Sequence, residues 1–313
     1  MNVRRTGPHP ARLVMTTAAC LTAVVTISSL ASAQADGGRT RQFKYLMGTS
    51  VRVETYGTDA STRERASAEA FAAVAEVDRV MSGYRSDSEL VGVNAHASAG
   101  RVAVSAPLFA VLAAGQRVAL ASHGAFTIMS GGAGDADVQL DPASSSVVLR
   151  RPGASLTLDG LAKGFASELA ANVLARSGLS GVVDIGGVQY MVGSPPGKRA
   201  WTVGLSDPRR PGTLIGAVDF AAGAVATATS ASVPFDPRTQ RPSVALSATV
   251  ISNDGTLADA LSRAALVLGP RDGLALLSEF PSTWGVITAV HPDGRLDSIV
   301  SSGHASSFHP ATR

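Results

Sequence analysis

Apolar residues recur at spacings of three and four in several parts of the chain, which is the period of an amphipathic helix. This pattern predicts helices over 61–81, 107–122, 160–177 and 256–269. The last two are expected to stop at a glycine, a common residue at helix ends. The segment 84–100 is rich in small and polar residues and is predicted to be a loop.

Alternating apolar and polar residues predict strands between these helices. The run 43–57 is predicted to form two short strands, and the region 180–252 to form several more, joined by tight turns. Helices and strands interleave without a regular βαβ rhythm, and hairpin turns are frequent. We therefore expect an α+β fold, a single compact domain over 42–300 with mostly antiparallel sheets and flanking helices. Residues 34–41 are predicted to be a linker and 301–313 a frayed tail.

The first 33 residues have a different pattern. Arg4, Arg5 and Arg12 precede or open an apolar stretch that ends in Ala31-Ser32-Ala33. This is the layout of a secretory signal peptide with its cleavage site. We expect an exported protein, periplasmic or extracytoplasmic. The alternative is an uncleaved segment that tethers the protein to a membrane.

Removal of residues 1–33 changes the charge of the chain. The segment holds three arginines and no acid, so the 27 basic side chains fall to 24 and match the 24 acidic ones. No basic field for nucleic acid remains. Cys20 is the only cysteine, so the mature chain is expected to have no disulfide and no thiolate metal site. No later apolar run is long enough to span a bilayer.

The stretch "LTLDGLAKGFASE" over 156–168 is the first candidate for chemistry. Asp159 is predicted to cap the following helix, and Gly160 allows a ligand or another backbone to approach. The amides at the helix start and the charge of Lys163 would favour a phosphate or carboxylate. The alternative is a capped surface helix with a solvated lysine.

Asp259 lies near the start of the helix predicted over 256–269. An acid in this position commonly stabilises the helix dipole. It could instead bind a hard cation such as Mg²⁺, which prefers oxygen ligands. The residues alone leave both interpretations open.

Seven segments, taken in order, resemble the ApbE family, the FAD:protein FMN transferases. Each is moderately specific, and together they cover about 43–290. They are "YLMGTSVRVETYG", "VDRVMSGYRSDSELVGVNAHA", "GAF", "LTLDGLAKGFASE", "GVVDIGGVQYMVGSPPGKRAWTVGLSDPRRPG", "FDPRTQRP" and "TVISNDGTLADALSRAALVLG".

The resemblance implies Mg²⁺-dependent transfer of FMN from FAD to a Thr or Ser hydroxyl of an acceptor protein, with release of AMP. It implies catalytic roles for Asp259 and Lys163. It implies metal ligation by Asp259 and by the backbone carbonyl of Gly160. The positions that it implies for FAD binding are Met47, Tyr84, Ala125, Phe126, Thr127, Thr157 and Lys163. The chain has no acceptor run of the type D-G-x-T-G-A-T, so self-flavinylation is not expected.

The chain also departs from the family pattern at four positions. Thr127 and Thr157 stand where the family has aspartates, Val233 where it has a histidine, and Arg263 where it has a threonine that binds the metal. Two alternatives to a transferase follow. One is a catalytically impaired extracytoplasmic protein that binds FAD, and the other is an FAD pyrophosphatase that uses water as the acceptor.

Overall fold

The computed structural model describes residues 38–130, 134–210, 212–291 and 293–311. The predicted signal peptide, with Cys20, lies outside these residues. The described helices are α1 (Ala60–Met81), α2 (Glu89–His96), α3 (Ala106–Ala121), α4 (Ala162–Arg176) and α5 (Gly255–Ser278). None of them is both long enough and apolar enough to cross a membrane.

The strands of the described residues are short. They are β1 (Arg39–Leu46), β2 (Thr49–Tyr56), β3 (Val102–Ala103), β4 (Met129–Ser130), β5 (Val138–Asp141), β6 (Ser146–Leu149), β7 (Ser155–Leu156), β8 (Ser180–Ile185), β9 (Val188–Val192), β10 (Trp201–Ser206), β11 (Leu214–Phe220), β12 (Gly223–Thr229), β13 (Ser247–Ser252), β14 (Thr283–Val290), β15 (Leu296–Val300) and β16 (Phe308–Pro310).

One large sheet organises the fold. Its order is β1-β2-β8-β9-β12-β13-β14-β15, and every neighbouring pair is antiparallel. Three small sheets, β10-β11-β16, β3-β6-β5 and β4-β7, are antiparallel as well. The predicted α+β class with antiparallel sheets is confirmed.

The large sheet lies between two layers. Helices α1, α4 and α5 pack on one face, and the sheet β10-β11-β16 covers part of the other through Trp201, Val218 and Phe220. Helix α4 buries mainly small residues, among them Ala166, Ala170 and Ala171. Phe165 and Leu169, the larger apolar residues of this helix, are only half-buried. Small side chains let the helix approach its neighbours closely.

Three predicted boundaries need correction. The segment 84–100 is not all loop, since it contains α2, whose first turn is capped by Ser88 Oγ accepting from Val91 N at 3.1 Å. Strand β1 begins at Arg39, inside the predicted linker. The tail is not frayed throughout, because β16 pairs with β11.

Helix α5 is broken where the sequence predicts its end. Gly269 has φ 79° and ψ −175°, which is not helical, and Pro270 starts a second helical segment that runs to Ser278. Proline suits the first turn of a helix because its missing N–H would have no helical partner there. The first segment, which carries Asp259, is therefore a separate short helix.

Candidate functional site

A cleft of about 970 Å³ opens between the β1–β2 turn, the end of α1 and the turn before α4. It is larger than most gaps between packed side chains and falls in the size range of small-molecule sites. Five of the residues predicted to contact a ligand or metal lie along it. They are Met47, Tyr84, Thr157, Gly160 and Lys163.

The β1–β2 turn places Met47 at one wall. Leu46 pairs with Thr49, so that Met47 and Gly48 form a two-residue turn, and both have positive φ, 53° and 70°. Such turns match the twist of a hairpin but suit glycine, asparagine or aspartate far better than methionine. A methionine in this conformation is strained, and strain of this kind concentrates at functional sites.

Helix α2 forms part of the opposite wall. Asn94 on this helix donates to Leu156 O at 3.0 Å and accepts from Leu156 N at 2.7 Å, which fixes β7 and the start of the turn that follows. Sequence reasoning did not single out Asn94, because its partner is distant in the chain. Tyr84 stands at the rim with 94% of its surface exposed.

The turn before α4 differs from the sequence-based expectation. The helix begins at Ala162 rather than after Asp159, and Leu161 at the cap position makes no side-chain hydrogen bond. Asp159 is exposed and does not cap the helix. Gly160 has φ 85°, so the chain turns sharply here and presents Lys163 at the edge of the cleft.

Helices α4 and α5 cross at two glycines. A Cβ placed on Gly164 would lie 2.0 Å from Gly255 O, and one placed on Gly255 would lie 2.4 Å from Gly164 O. No real side chain fits at such distances. The glycine that follows Lys163 is therefore required for helix packing.

At the start of each helix in this crossing, a backbone N–H donates a hydrogen bond to a carboxylate of the other helix. Gly164 N donates to Asp259 Oδ2 at 3.3 Å, and Gly255 N donates to Glu168 Oε2 at 2.7 Å. The two motifs, Gly-x-x-x-Glu on α4 and Gly-x-x-x-Asp on α5, have the same spacing. The pair forms a reciprocal crossing, in which negative charge meets the positive end of each helix.

Asp259 is consequently buried below the cleft, with 3% of its surface exposed. Burial raises the pKa of its carboxyl, and the charges of Arg263 and Lys163 with the Gly164 N–H act in the opposite direction. Its second oxygen, Oδ1, lies 4.0 Å from Arg263 Nε. An unpaired charge would be costly in this position, and these neighbours reduce that cost.

Arg263 lies between Asp259 and the turn before α4. A Cβ on Gly160 would be 2.3 Å from Arg263 Cδ and 3.2 Å from Phe126 Cε2. The arginine side chain therefore packs directly against the bare α-carbon of residue 160. Its side chain is partly exposed, whereas the carboxylate of Asp259 beside it is buried.

Three other residues predicted to bind the cofactor lie apart from the cleft lining. Ala125 and Phe126 are buried in the protein interior. The Thr127 hydroxyl accepts a hydrogen bond from Met129 N at 3.0 Å. Phe126 packs close to Gly160, so this segment borders the turn that lines the cleft.

The side chains around Asp259 do not suit Mg²⁺. One carboxylate oxygen accepts a backbone N–H and the other faces the guanidinium of Arg263. Across the parts of the chain that the structure describes, no three His, Cys, Asp or Glu side chains are grouped to hold a metal. Mg²⁺ needs several oxygen ligands in octahedral geometry, and a cation already stands beside the buried carboxylate.

Residues 47–287 match the ApbE family. The chain is 28% identical to the FAD:protein FMN transferase of Treponema pallidum, over 83% of this chain and 88% of that protein. It is 24% identical to the enzyme of the same name from Klebsiella pneumoniae, over 85% and 92%.

Solved structures show the same fold. The ApbE protein of Thermotoga maritima superposes with a TM-score of 0.73 at 23% identity, over 83% of this chain and 96% of that one. The flavin transferase ApbE of Vibrio cholerae superposes with a TM-score of 0.77 at 20% identity, over 86% and 99%. The order of the motifs, the fold and the family match agree, and this chain belongs to the ApbE family.

Proposed function

We propose that this chain binds FAD in the cleft and transfers its FMN part to a Thr or Ser hydroxyl of an acceptor protein, releasing AMP. The observation that carries the proposal is the convergence of Met47, Tyr84, Thr157, Gly160 and Lys163 on one cavity. These residues come from three separated segments of the chain. The family's relatives named above supply the reaction.

The cleft offers suitable partners for each part of the ligand. Lys163, at the start of α4, provides positive charge for a pyrophosphate. Met47 and Tyr84 present apolar and aromatic surface on which a flavin or adenine ring can pack. Thr157 adds a neutral hydroxyl at a position where the family pattern has an aspartate.

The reaction is a substitution at the FMN phosphorus. The acceptor oxygen bonds to this phosphorus, and the bond to the oxygen that bridges to AMP breaks. AMP leaves with the electron pair, and the hydroxyl proton is released to solvent. Negative charge grows on the leaving phosphate in such a step, so a nearby fixed cation lowers the barrier.

The Mg²⁺ dependence expected from the resemblance is not part of this proposal. The donor set around Asp259 does not fit the ion, and Asp259 is too deeply buried to touch the substrate. Its role here is to hold the start of α4 and to orient Arg263. Asp259 is thus a positioning residue and Lys163 the proposed ligand-binding cation.

A second candidate is an FAD-binding protein without turnover. The observation that favours it is the placement of Arg263 against Asp259, at the position where a transferase of this family would bind its metal. Val233, which is half-buried against the core, also provides no group that can carry a proton.

One assay separates the candidates. The purified protein is incubated with FAD and a peptide that carries a D-G-x-T-G-A-T run, and the products are identified by mass. A peptide heavier by FMN, together with free AMP, supports the transferase. Bound but intact FAD supports the binding protein. Free FMN and AMP without an adduct would instead indicate a pyrophosphatase and overturn both.

The proposed place of action is outside the cytoplasm. This part of the proposal rests on the pattern of residues 1–33 alone. Expression of the full chain, followed by fractionation and N-terminal sequencing, tests it. A mature protein that starts near residue 34 in the exported fraction is the expected result, and an intact N-terminus in the cytosol would contradict it.

A further inference from the structure

The Arg263 guanidinium has hydrogen-bonding capacity that the protein does not use. In the described ranges its one polar contact is the ion pair with Asp259, at 4.0 Å, which is too long for a hydrogen bond. Its side chain is 22% exposed, against 5% for that of Asp259. The N–H groups are therefore free to donate on the side that faces away from the carboxylate.

The side chain lies next to a residue of the cleft lining. Arg263 packs against Gly160, and Gly160 itself lines the cleft beside Lys163. The carboxylate of Asp259 faces the guanidinium from the buried side, with 4.0 Å between Oδ1 and Nε. An arginine held in this way keeps its orientation without a bound ligand, which reduces the entropy lost on binding.

We propose that Arg263 is the resident cation of the cleft and donates hydrogen bonds to the pyrophosphate of FAD, so that binding of the dinucleotide needs no divalent metal. The inference rests on the proposed function, since it assumes that FAD is the ligand. A guanidinium matches two phosphate oxygens with two parallel N–H groups. Lys163 supplies a second charge from the edge of the same cleft.

The competing explanation is purely structural. Arg263 could serve only to neutralise Asp259 at the reciprocal crossing, with no part in ligand binding. The two explanations predict different affinities for FAD when the divalent metal or the guanidinium is removed. Two experiments make these changes.

The first experiment uses the unaltered protein. FAD binding is followed by quenching of flavin fluorescence, once with EDTA and once with excess Mg²⁺. We expect equal dissociation constants in the two conditions. Binding seen only with Mg²⁺ would overturn this inference and leave the proposed function standing. No binding of FAD in either condition would overturn the proposed function itself.

The second experiment uses variants in the presence of EDTA. Arg263→Gln is expected to weaken FAD binding at least tenfold, because a charged hydrogen bond to phosphate is lost. Arg263→Lys is expected to retain part of the affinity, since it keeps the charge without the planar fork. Arg271→Gln, on the exposed second segment of α5, is the matched control and should bind as the parent does.

Thermal unfolding of each variant distinguishes folding from binding. If Arg263→Gln unfolds at a lower temperature but binds FAD like the parent protein, Arg263 is a structural partner of Asp259 and the inference is wrong. If it fails to fold, Arg263→Lys decides: affinity in EDTA equal to that of the parent would contradict the use of the guanidinium fork.

Discussion

Gly164 and Gly255 lie in direct backbone contact where α4 crosses α5, with no room for a side chain on either residue. This contact brings the carboxylate of Asp259 to the start of α4 and that of Glu168 to the start of α5. The crossing therefore holds two helix starts that support each other, one of which carries Lys163 of the cleft lining. Its geometry depends on the absence of two methyl groups.

A methyl group at this crossing should destabilise the protein. For Gly164→Ala we expect a loss of roughly 1–3 kcal/mol in the free energy of unfolding, because the helices must separate to admit it. Urea denaturation measures the change. Gly92→Ala is the control, since Gly92 lies inside α2 with open space around it. Alanine is the better helix former, so this variant should be as stable as the parent or more stable. Equal effects of the two substitutions would contradict the described contact.

Lys163 should matter for ligand binding and little for folding. We expect Lys163→Ala to raise the dissociation constant for FAD about tenfold or more, because a charged contact with phosphate is lost. Titration calorimetry measures the constant. Lys198→Ala, at an exposed position away from the cleft lining, should leave it unchanged. A similar loss in both variants would indicate only a general charge effect.

Met47 should show a conflict between stability and binding. Asparagine adopts positive φ more easily than methionine, so Met47→Asn should keep the stability of the hairpin within about 1 kcal/mol while it weakens FAD binding. Gln240→Asn is the matched control, because Gln240 also has positive φ, 57°, and is exposed outside the cleft lining. That variant should bind FAD normally. Full affinity in Met47→Asn would exclude Met47 from the ligand contact.

The stability of the protein should fall in alkaline solution through Tyr190. Its hydroxyl donates to Asn253 O at 2.9 Å, and burial, with the charges of Glu168 and Asp254, raises its pKa to about 12. A free tyrosine ionises near pH 10. The folded state thus favours the neutral form of Tyr190. The stability that depends on this form is fully present below pH 10 and is lost as the pH rises through 12.

The matching experiment compares the parent with Tyr190→Phe. The free energy of unfolding of the parent, relative to that of the variant, should fall by about 2 kcal/mol between pH 10 and pH 12, as expected for a pKa shift of this size. Tyr84→Phe, at an exposed position, is the control for removal of a tyrosine hydroxyl and should show no such change with pH. A constant difference over this range would show that Tyr190 is not held neutral by the fold.

The sequence was informative where one segment carries its own pattern. The apolar spacing predicted α1 and α3 closely, because one face of each helix packs on the core. It missed α2, a helix of only eight residues. The pattern of this helix is too short to separate from a loop, and only the cap at Ser88 could have indicated it.

The site depends on relations between distant segments, which one sequence does not contain. Lys163 stands out in its own stretch of sequence, and Arg263 stands out through the resemblance to the family. Arg263 lies one helical turn after Asp259 on α5, so their proximity follows from helical spacing. That Arg263 packs on Gly160 follows from the crossing of α4 and α5, and neither helix encodes that crossing by itself. The Asp159 cap was wrong for a related reason, since the carboxylate at the start of α4 comes from the other helix.

The reciprocal crossing also sets how the starts of α4 and α5 can move. The Gly164 amide loses its acceptor when α5 departs, and the Gly255 amide loses its acceptor when α4 departs. Neither helix start can fray independently, so one opening event must expose both amides. In a hydrogen-exchange experiment the two should exchange at a common rate with the same dependence on denaturant. The crossing beside Lys163 would then behave as one cooperative unit rather than as two mobile helix ends.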